Sequence, residues 1–388
     1  MRVHEFSEPD EKTSKKTVLC IVGTRPEVIK MAPLIFQLKE VDWANVKLVS
    51  TGQQNDLLTD ALADFGLKPD EQIKHEENCT TPTQLHSSLG PLLDRLIERL
   101  KPDCILAQGD TTTVLAAAMA AFYRKILFVH VEAGLRTLDL LAPFPEEYHR
   151  RAISVSTSLH CAPTSSAKAN LLREGVPEDK IVVSGNTVID ALLWMASTHP
   201  EPPLDFPHLK TILLTAHRRE NFGQPLRDAF TAVRAFVDIH PDTAVYFPVH
   251  PNPNAHAVAA EMLSGHPRIH LVQPLSYRKM VAVLHACWCV VTDSGGLQEE
   301  APALGKPVLV LRDVTERPEA IESGVVKLIG TERASVFDML SSLYHDSMLY
   351  QKMARPVFPY GDGHAGERIV NALRKVLRVE DATVHFIK

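Results

Sequence analysis

The sequence predicts an α/β protein built from two doubly wound parallel-sheet domains with a cleft between them. Three observations carry that expectation. The chain has 388 residues, which calls for two domains of roughly 150 to 200 residues rather than one core. Apolar runs rich in Val, Ile and Leu alternate with amphipathic or alanine-rich segments, the pattern of parallel strands joined by crossover helices. That alternation occurs twice, on either side of a stretch dense in proline.

In the first half, strands are expected at Val18 to Val22, Val46 to Thr51, Cys104 to Gln108, Leu127 to Glu132 and Leu159 to Ala162, with Ile181 to Ser184 closing the sheet. Helices such as Thr113 to Tyr123 lie between them. His199 to His208 carries Pro200, Pro202, Pro203 and Pro207 and reads as a hinge, because proline excludes an element interior. In the second half, strands are expected at Thr211 to Thr215, Thr243 to Val249, Ile269 to Val272, Cys287 to Thr292 and Val308 to Leu311, with a helix at Arg227 to Ile239. The division is thus 1–198, a connector at 199–208, a second domain at 209–365 and a tail at 366–388. A last helix near Gly366 to Leu377 suits either lobe.

Composition narrows the function classes. Hydrophobic residues at 45% and charged residues at 23% leave enough apolar surface for packed cores and exclude wholesale disorder, collagen-like repeats and coiled coils. A net charge of -6 argues against nucleic acid as the main partner, since backbone binding needs a basic face. The longest apolar stretches, such as Val114 to Phe122, are far shorter than the roughly 20 residues that cross a bilayer, and the polar start, Met1 to Lys16, has no apolar core of a secretory signal. No membrane association is expected. Six scattered cysteines suggest neither a disulfide framework nor a metal site, and fit a reducing cytoplasm. Cys287 and Cys289 are expected on one face of an apolar strand as small hydrophobes.

The chemistry-bearing motifs follow strand ends, where open parallel sheets place their functional loops. After the first strand comes GTRPEVIKMAPL at 23–34. Gly23 permits a tight turn and Pro26 suits a helix start, so Arg25 and Lys30 sit near a positive helix end, suited to an anion or a sugar. After the third comes QGDTTT at 108–113, where Asp110 either caps the next helix or serves the cleft. After the fourth comes HVEAGLRT at 130–137, followed by a loop containing PFPEEYHR at 143–150. Glu132 closes an apolar strand, a costly place for an unpaired carboxylate, and Glu146 lies in a loop able to fold over the cleft. Asp110, Glu132 and Glu146 can therefore form a cluster in which one acid holds or delivers a proton near neutrality, with Arg25, Lys30 or Arg136 keeping the others ionised.

The second half offers phosphate chemistry. TDSGGLQEEAPALGKP at 292–307 runs from a strand through Ser294, Gly295 and Gly296 into a helix, a plausible diphosphate cradle, with Glu300 one turn on as an acceptor for a ribose diol. TAHRRENFG at 215–223 brings His217, Arg218 and Arg219, and PVHPNP at 248–253 brings His250. Arg312 and Arg317 in LRDVTERPE at 311–319 add charge suited to a pyrophosphate.

Taken in order, GTRPEVIK, TGQQ, QGDTTT, HVEAGLRT, PFPEE, HRRENFG, TDSGGLQEEAP, TERPE and YGDGHAGERI closely resemble the non-hydrolysing UDP-N-acetylglucosamine 2-epimerases, over most of the chain. The resemblance implies a GT-B fold of two Rossmann-like lobes. It implies reversible interconversion of UDP-GlcNAc and UDP-ManNAc, in which the C2 proton and UDP leave to give 2-acetamidoglucal and then return, supplying ManNAc units for surface polysaccharide without a cofactor. By that likeness Asp110, Glu132 and Glu146 are the acid–base candidates, with the identity of the group that takes the proton left open. Arg25, Lys30 and His217 line the site, and Ser294, Gly295, Gly296 and Glu300 hold UDP. A homodimer is implied as well. The family motif TGQH reads Thr51-Gly52-Gln53-Gln54 here, in a region bordering an activator site for a second UDP-GlcNAc in bacterial members, and Gln53 is the residue retained there.

Three other functions would use part of this residue set. A GT-B glycosyltransferase shares the UDP cradle but needs one base, whereas three acids around one sugar suit deprotonation and reprotonation. A hydrolysing epimerase releases ManNAc and UDP, but its first loop differs from GTRPEVIK. A non-catalytic nucleotide-sugar sensor has little use for Asp110 with Glu132.

Overall fold

A computed structural model of the chain describes residues 15–53, 55–74, 79, 81–198, 208–250, 252–315 and 317–379. The first sheet comprises β1 (Lys16–Val22), β2 (Ala44–Ser50), β3 (Glu71–Gln72), β4 (Cys104–Gln108), β5 (Leu127–Val131), β6 (Leu159–Ala162) and β7 (Ile181–Val183). All its pairings are parallel, in the order β3-β2-β1-β4-β5-β6-β7. The second comprises β8 (Lys210–Thr215), β9 (Thr243–Pro248), β10 (Ile269–Val272), β11 (Cys289–Thr292), β12 (Val308–Val310) and β13 (Val326–Leu328). It is also wholly parallel, in the order β10-β9-β8-β11-β12-β13. The doubly wound α/β expectation is met in both halves.

The strand sequences explain this arrangement. Sheets covered on both faces need near-continuous apolar strands, and β4, β6, β11 and β12 are buried along their whole length. Each strand order reverses direction once, between β1 and β4 in the first sheet and between β8 and β11 in the second. The carboxyl ends of strands at such a reversal open a crevice where ligands bind.

Two features differ from the sequence expectation. β3 and β13 are additional edge strands, of two and three residues. β11 begins at Cys289, and Cys287 instead caps the preceding helix Tyr277–Ala286. The two cysteines therefore face different apolar clusters rather than one, both being free and buried. The expected hinge lies outside the described residues except for His208. The last helix, Ala365–Val376, returns to the first lobe, where it packs on the helices Arg25–Glu40 and Thr187–Thr198. The Asp190 carboxylate accepts the backbone N–H groups of Ala365 (3.2 Å) and Gly366 (2.8 Å), satisfying donors that a helix start leaves open.

The lobes also share apolar packing. One buried cluster extends from Val18 in β1 to Val310 in β12. At the junction, Phe65 stacks on Trp194 (5.5 Å between centroids) and on Tyr277 of the second lobe (5.8 Å). The Asp64 carboxylate accepts the Tyr277 backbone N–H at 2.8 Å, so a first-lobe acid caps a second-lobe helix. No helix among the described residues is long and apolar enough to cross a membrane.

Candidate active site

The loops after β1, β8, β9 and β11 meet at one interlobe cavity of about 480 Å³. In the first lobe, the loop after β1 runs through Gly23 into the helix Arg25–Glu40, with Thr24 and Glu27 forming a capping box. A side chain at position 23 would collide with the hydroxyls of Thr51 and Thr113, so the close approach of these loops requires glycine. The buried Glu27 carboxylate accepts from Gly23 N (2.5 Å), Thr24 N (3.3 Å) and Thr111 Oγ1 (2.6 Å). It thereby fastens the loop after β1 to the loop after β4, and burial pushes its pKa up to about 7 against these hydrogen bonds. The Thr-x-x-Glu spacing was the available signal for Glu27.

One turn further, the Lys30 ammonium reaches Glu132 at 2.5 Å, with their side chains 19% and 8% exposed. Glu132 stands just past β5 at φ 66°, a left-handed conformation uncommon for a non-glycine residue and frequent at functional sites. Gln108, at the end of β4, donates to the same carboxylate oxygen. Desolvation would lower the Lys30 pKa, but the Glu132 and Glu299 carboxylates outweigh it and hold the ammonium above its ordinary value.

The other first-lobe candidates are placed less directly. Asp110 pairs with Arg150 Nε at 2.8 Å, and its carbonyl accepts from His149 Nδ1 at 2.7 Å. Thr111, not Asp110, caps the helix Thr112–Tyr123. Glu146 is not in a loop: it opens the helix Glu146–Ser156, whose N-terminal field favours the acidic pair Glu146 and Glu147. Its buried Oε2 has no partner among the described residues. Asp110, Glu132 and Glu146 do not line the cavity wall, and Glu132 connects to it through Lys30.

Arg136, expected at the substrate, is not brought to the cavity. Its guanidinium forms a two-pronged pair with Glu174 (2.8 and 2.7 Å) and its side chain is 1% exposed, the fork geometry favouring this commitment. Gln53 Oε1 accepts from the backbone and hydroxyl of Thr113 (3.3 and 2.8 Å); Gln54 lies outside the described residues. Glu147, missed from sequence, accepts from Thr137 N (3.1 Å) and Leu138 N (3.2 Å) and pairs with Arg150 (3.3 Å), ordering the loop that follows Glu132.

In the second lobe, Thr215 and Thr292 share a 2.5 Å hydrogen bond across the reversal between β8 and β11. The next residue, Asp293, is fully buried and also escaped the sequence reading. It accepts from His217 N (2.9 Å), Arg218 N (2.8 Å) and Asn221 Nδ2 (3.1 Å), and lies 3.1 Å from His217 Nδ1. Burial would raise its pKa, but His217 and these donors prevail and hold it below the ordinary value. The His217 and His250 rings stack at 5.2 Å, both on the cavity wall.

The helix Gly295–Ala303 begins at the glycine turn, where a Cβ on Gly295 would lie 2.6 Å from the Arg317 guanidinium. Arg317 Nε donates to Glu299 at 2.7 Å. Glu300 accepts from the Tyr277 hydroxyl at 2.8 Å, and burial pushes its pKa up to about 7. The cavity thus receives Arg25 and Lys30 from one lobe and His217, Ser294, Gly296, Glu300 and Arg317 from the other. Cations and a helix start on one side of this space can neutralise a diphosphate, and Lys30, with the Glu132 carboxylate behind it, stands on the opposite side.

A family model described as UDP-N-acetylglucosamine 2-epimerase matches residues 37–374. The UDP-N-acetylglucosamine 2-epimerase of Bacillus subtilis (strain 168) is 44% identical over 364 residues, covering 92% of this chain and 95% of the relative. The crystal structure of UDP-GlcNAc 2-epimerase from Neisseria meningitidis bound to UDP-GlcNAc is 40% identical with a TM-score of 0.83, covering 92% of this chain and 100% of that one. The S. aureus MnaA–UDP co-structure is 41% identical with a TM-score of 0.85, covering 94% of this chain and 98% of that one. By sequence over nearly its whole length and by fold, the chain belongs to the UDP-N-acetylglucosamine 2-epimerase family.

Proposed function

We propose that the protein interconverts UDP-GlcNAc and its C2 epimer UDP-ManNAc by elimination and re-addition, without releasing free sugar. A base takes the C2 proton as the bond from C1 to the diphosphate oxygen breaks, giving 2-acetamidoglucal and UDP. The UDP oxygen then re-forms that bond while a proton enters C2 from the opposite face. The observation that carries this reading is the single cavity with Lys30, paired to Glu132, on one wall and His217, the glycine turn and Arg317 on the other.

Asp110, Glu132 and Glu146 form the acid–base set, with Asp110 and Glu146 reaching the sugar as the lobes close on it. Departing UDP gains negative charge in the transition state. Arg25, Arg218, His217, His250 and Arg317 around it, with the N–H groups of Ser294, Gly295 and Gly296, favour that state over the ground state. Glu300 receives the ribose hydroxyls. The product supplies ManNAc units for surface polysaccharide, and the enzyme works as a cytoplasmic homodimer. Gln53 keeps activation by a second UDP-GlcNAc, which strictly hyperbolic UDP-ManNAc kinetics would contradict.

The test is incubation with UDP-GlcNAc in deuterated water, followed by NMR. Deuterium at C2 of both UDP-sugars supports the reading. Free ManNAc, transfer only to an added acceptor, or binding without exchange would each overturn it, in favour of hydrolysis, glycosyl transfer or sensing respectively.

A further inference from the structure

Asn186 stands where the lobes meet, between β7 and the helix Thr187–Thr198, and is 3% exposed. Its Oδ1 accepts from Val188 N at 3.1 Å, capping that helix. Its own backbone N–H donates to the Tyr360 carbonyl at 2.6 Å, where the chain returns toward the first lobe. This crossing is tight, since a Cβ on the preceding Gly185 would come within 3.2 Å of Gly361 Cα. The amide nitrogen faces two carboxylates at once: Glu299 Oε2 at 2.9 Å and Glu132 Oε1 at 3.4 Å.

Each of those acids is also held by a cation from its own lobe, Glu132 by Lys30 and Glu299 by Arg317. The result is a continuous line, Lys30, Glu132, Asn186, Glu299, Arg317, in which a neutral amide separates two ion pairs. A carboxamide supplies two donors on one uncharged atom. Asparagine does so while its oxygen caps its own helix, a position that glutamine does not favour. The charged and titratable groups facing Glu132 are Lys30 from the first helix, His130 from β5 and, across the junction, Glu299 with Arg317 behind it.

We propose that Asn186 is a positioning residue: it orients Glu132 for proton transfer and ties that acid, through Glu299, to the arginine on the phosphate side of the cavity. The inference rests on the epimerase reading above, in which Glu132 belongs to the acid–base set. A purely structural asparagine would act only through its cap and its contact with Tyr360.

Two variants separate these roles. Asn186→Asp keeps the capping oxygen and the side-chain size, removes both donors and places a third carboxylate beside Glu132 and Glu299. Asn186→Ser keeps a capping hydroxyl, removes both amide donors and adds no charge. C2 exchange in deuterated water, kcat, KM, the pH dependence of kcat, and UDP binding by calorimetry are measured on each folded variant. In both, kcat falls by about tenfold or more, the scale of one lost hydrogen bond to a charged group, while KM and UDP affinity change by less than about threefold. In Asn186→Asp alone, the acidic limb of the kcat profile also moves to higher pH, because adjacent carboxylates retain a proton longer. Wild-type protein without exchange would overturn the epimerase reading itself. Wild-type exchange with kcat and pH profiles unaltered in Asn186→Asp and Asn186→Ser would overturn only the role of Asn186. Should Asn186→Asp not fold, an unaltered kcat in Asn186→Ser overturns that role by itself.

Discussion

The Lys30 ammonium and the Glu132 carboxylate meet at 2.5 Å, joining the helix that follows β1 to the residue that ends the apolar run of β5. Across 102 residues of sequence this pair links Glu132 to the cavity wall. Replacing Lys30 with Met leaves a largely buried carboxylate without its counter-charge, a loss of about 3–5 kcal/mol when one partner of a buried pair is removed. Lys30→Met should therefore lower the melting temperature, and, because Glu132 also loses the cation that orients it at the cavity, slow C2 exchange by about a hundredfold or more, measured by NMR on protein that retains the wild-type circular dichroism spectrum. The Lys30 contribution to stability is complete below the ordinary lysine value of 10.5 and is lost only as pH rises through its higher folded value, so the wild type should show no loss from this lysine near neutrality.

Asp293 holds the loop that carries His217. Asp293→Asn removes a charged acceptor of three N–H donors and should weaken UDP binding about tenfold, read by calorimetry, with the chemistry slowed alongside it. Because its pKa is depressed in the folded protein, its stabilising effect is present above the ordinary value of 3.8 and disappears as pH falls through the lower folded value. The stability gap between wild type and variant should accordingly be open at neutral pH and close only in strong acid.

Glu300 gives the opposite pH signature. Its carboxyl sits at about 7 in the folded chain against an ordinary 4.5, so folding binds a proton in that window and stability falls as pH rises through it. Glu300→Gln removes this share. Thermal unfolding of the ligand-free proteins across the window should show the variant gaining on the wild type with rising pH; a constant difference would contradict the assignment. Part of the slope should persist in the variant, because Glu27 has the same displacement to about 7.

Gly295→Ala tests the turn. The added methyl would meet the Arg317 guanidinium, at 2.6 Å from its carbon, and must push it away from Glu299. UDP affinity should fall by about tenfold or more with little change in melting temperature, because the strain falls on the far end of an arginine rather than on backbone.

Much of this architecture is written locally. The Val, Ile and Leu runs mark eleven of the strands, and the short motifs after them mark the loops because chain reversals place functional segments at strand ends. Glu71–Gln72 and Val326–Leu328 are too short to stand out from their surroundings, and Cys287 looks like strand because its apolar neighbours conceal the helix end. The positions of Lys30, His217 and the glycine turn on the cavity wall, and of Glu132 against Lys30, were legible from the motif beside each. Glu147, Asp293 and Asn186 were not, because their importance lies in which N–H groups or carboxylates they meet. Asp293 gathers backbone donors 75 and 76 residues away, and Asn186 reaches Glu299 across 113. Arg136 failed for a related reason: a motif places an arginine near the cleft but does not show that Glu174 has already engaged it.

The stacked rings of Phe65, Trp194 and Tyr277 give the junction a greasy bearing rather than a free gap. Because that contact belongs to the same apolar body as both sheets, prying the halves fully apart would wet aromatic faces as well as empty the crevice. Any opening that keeps this contact would turn the lobes about it rather than part them, and heat should melt the two halves as one cooperative block.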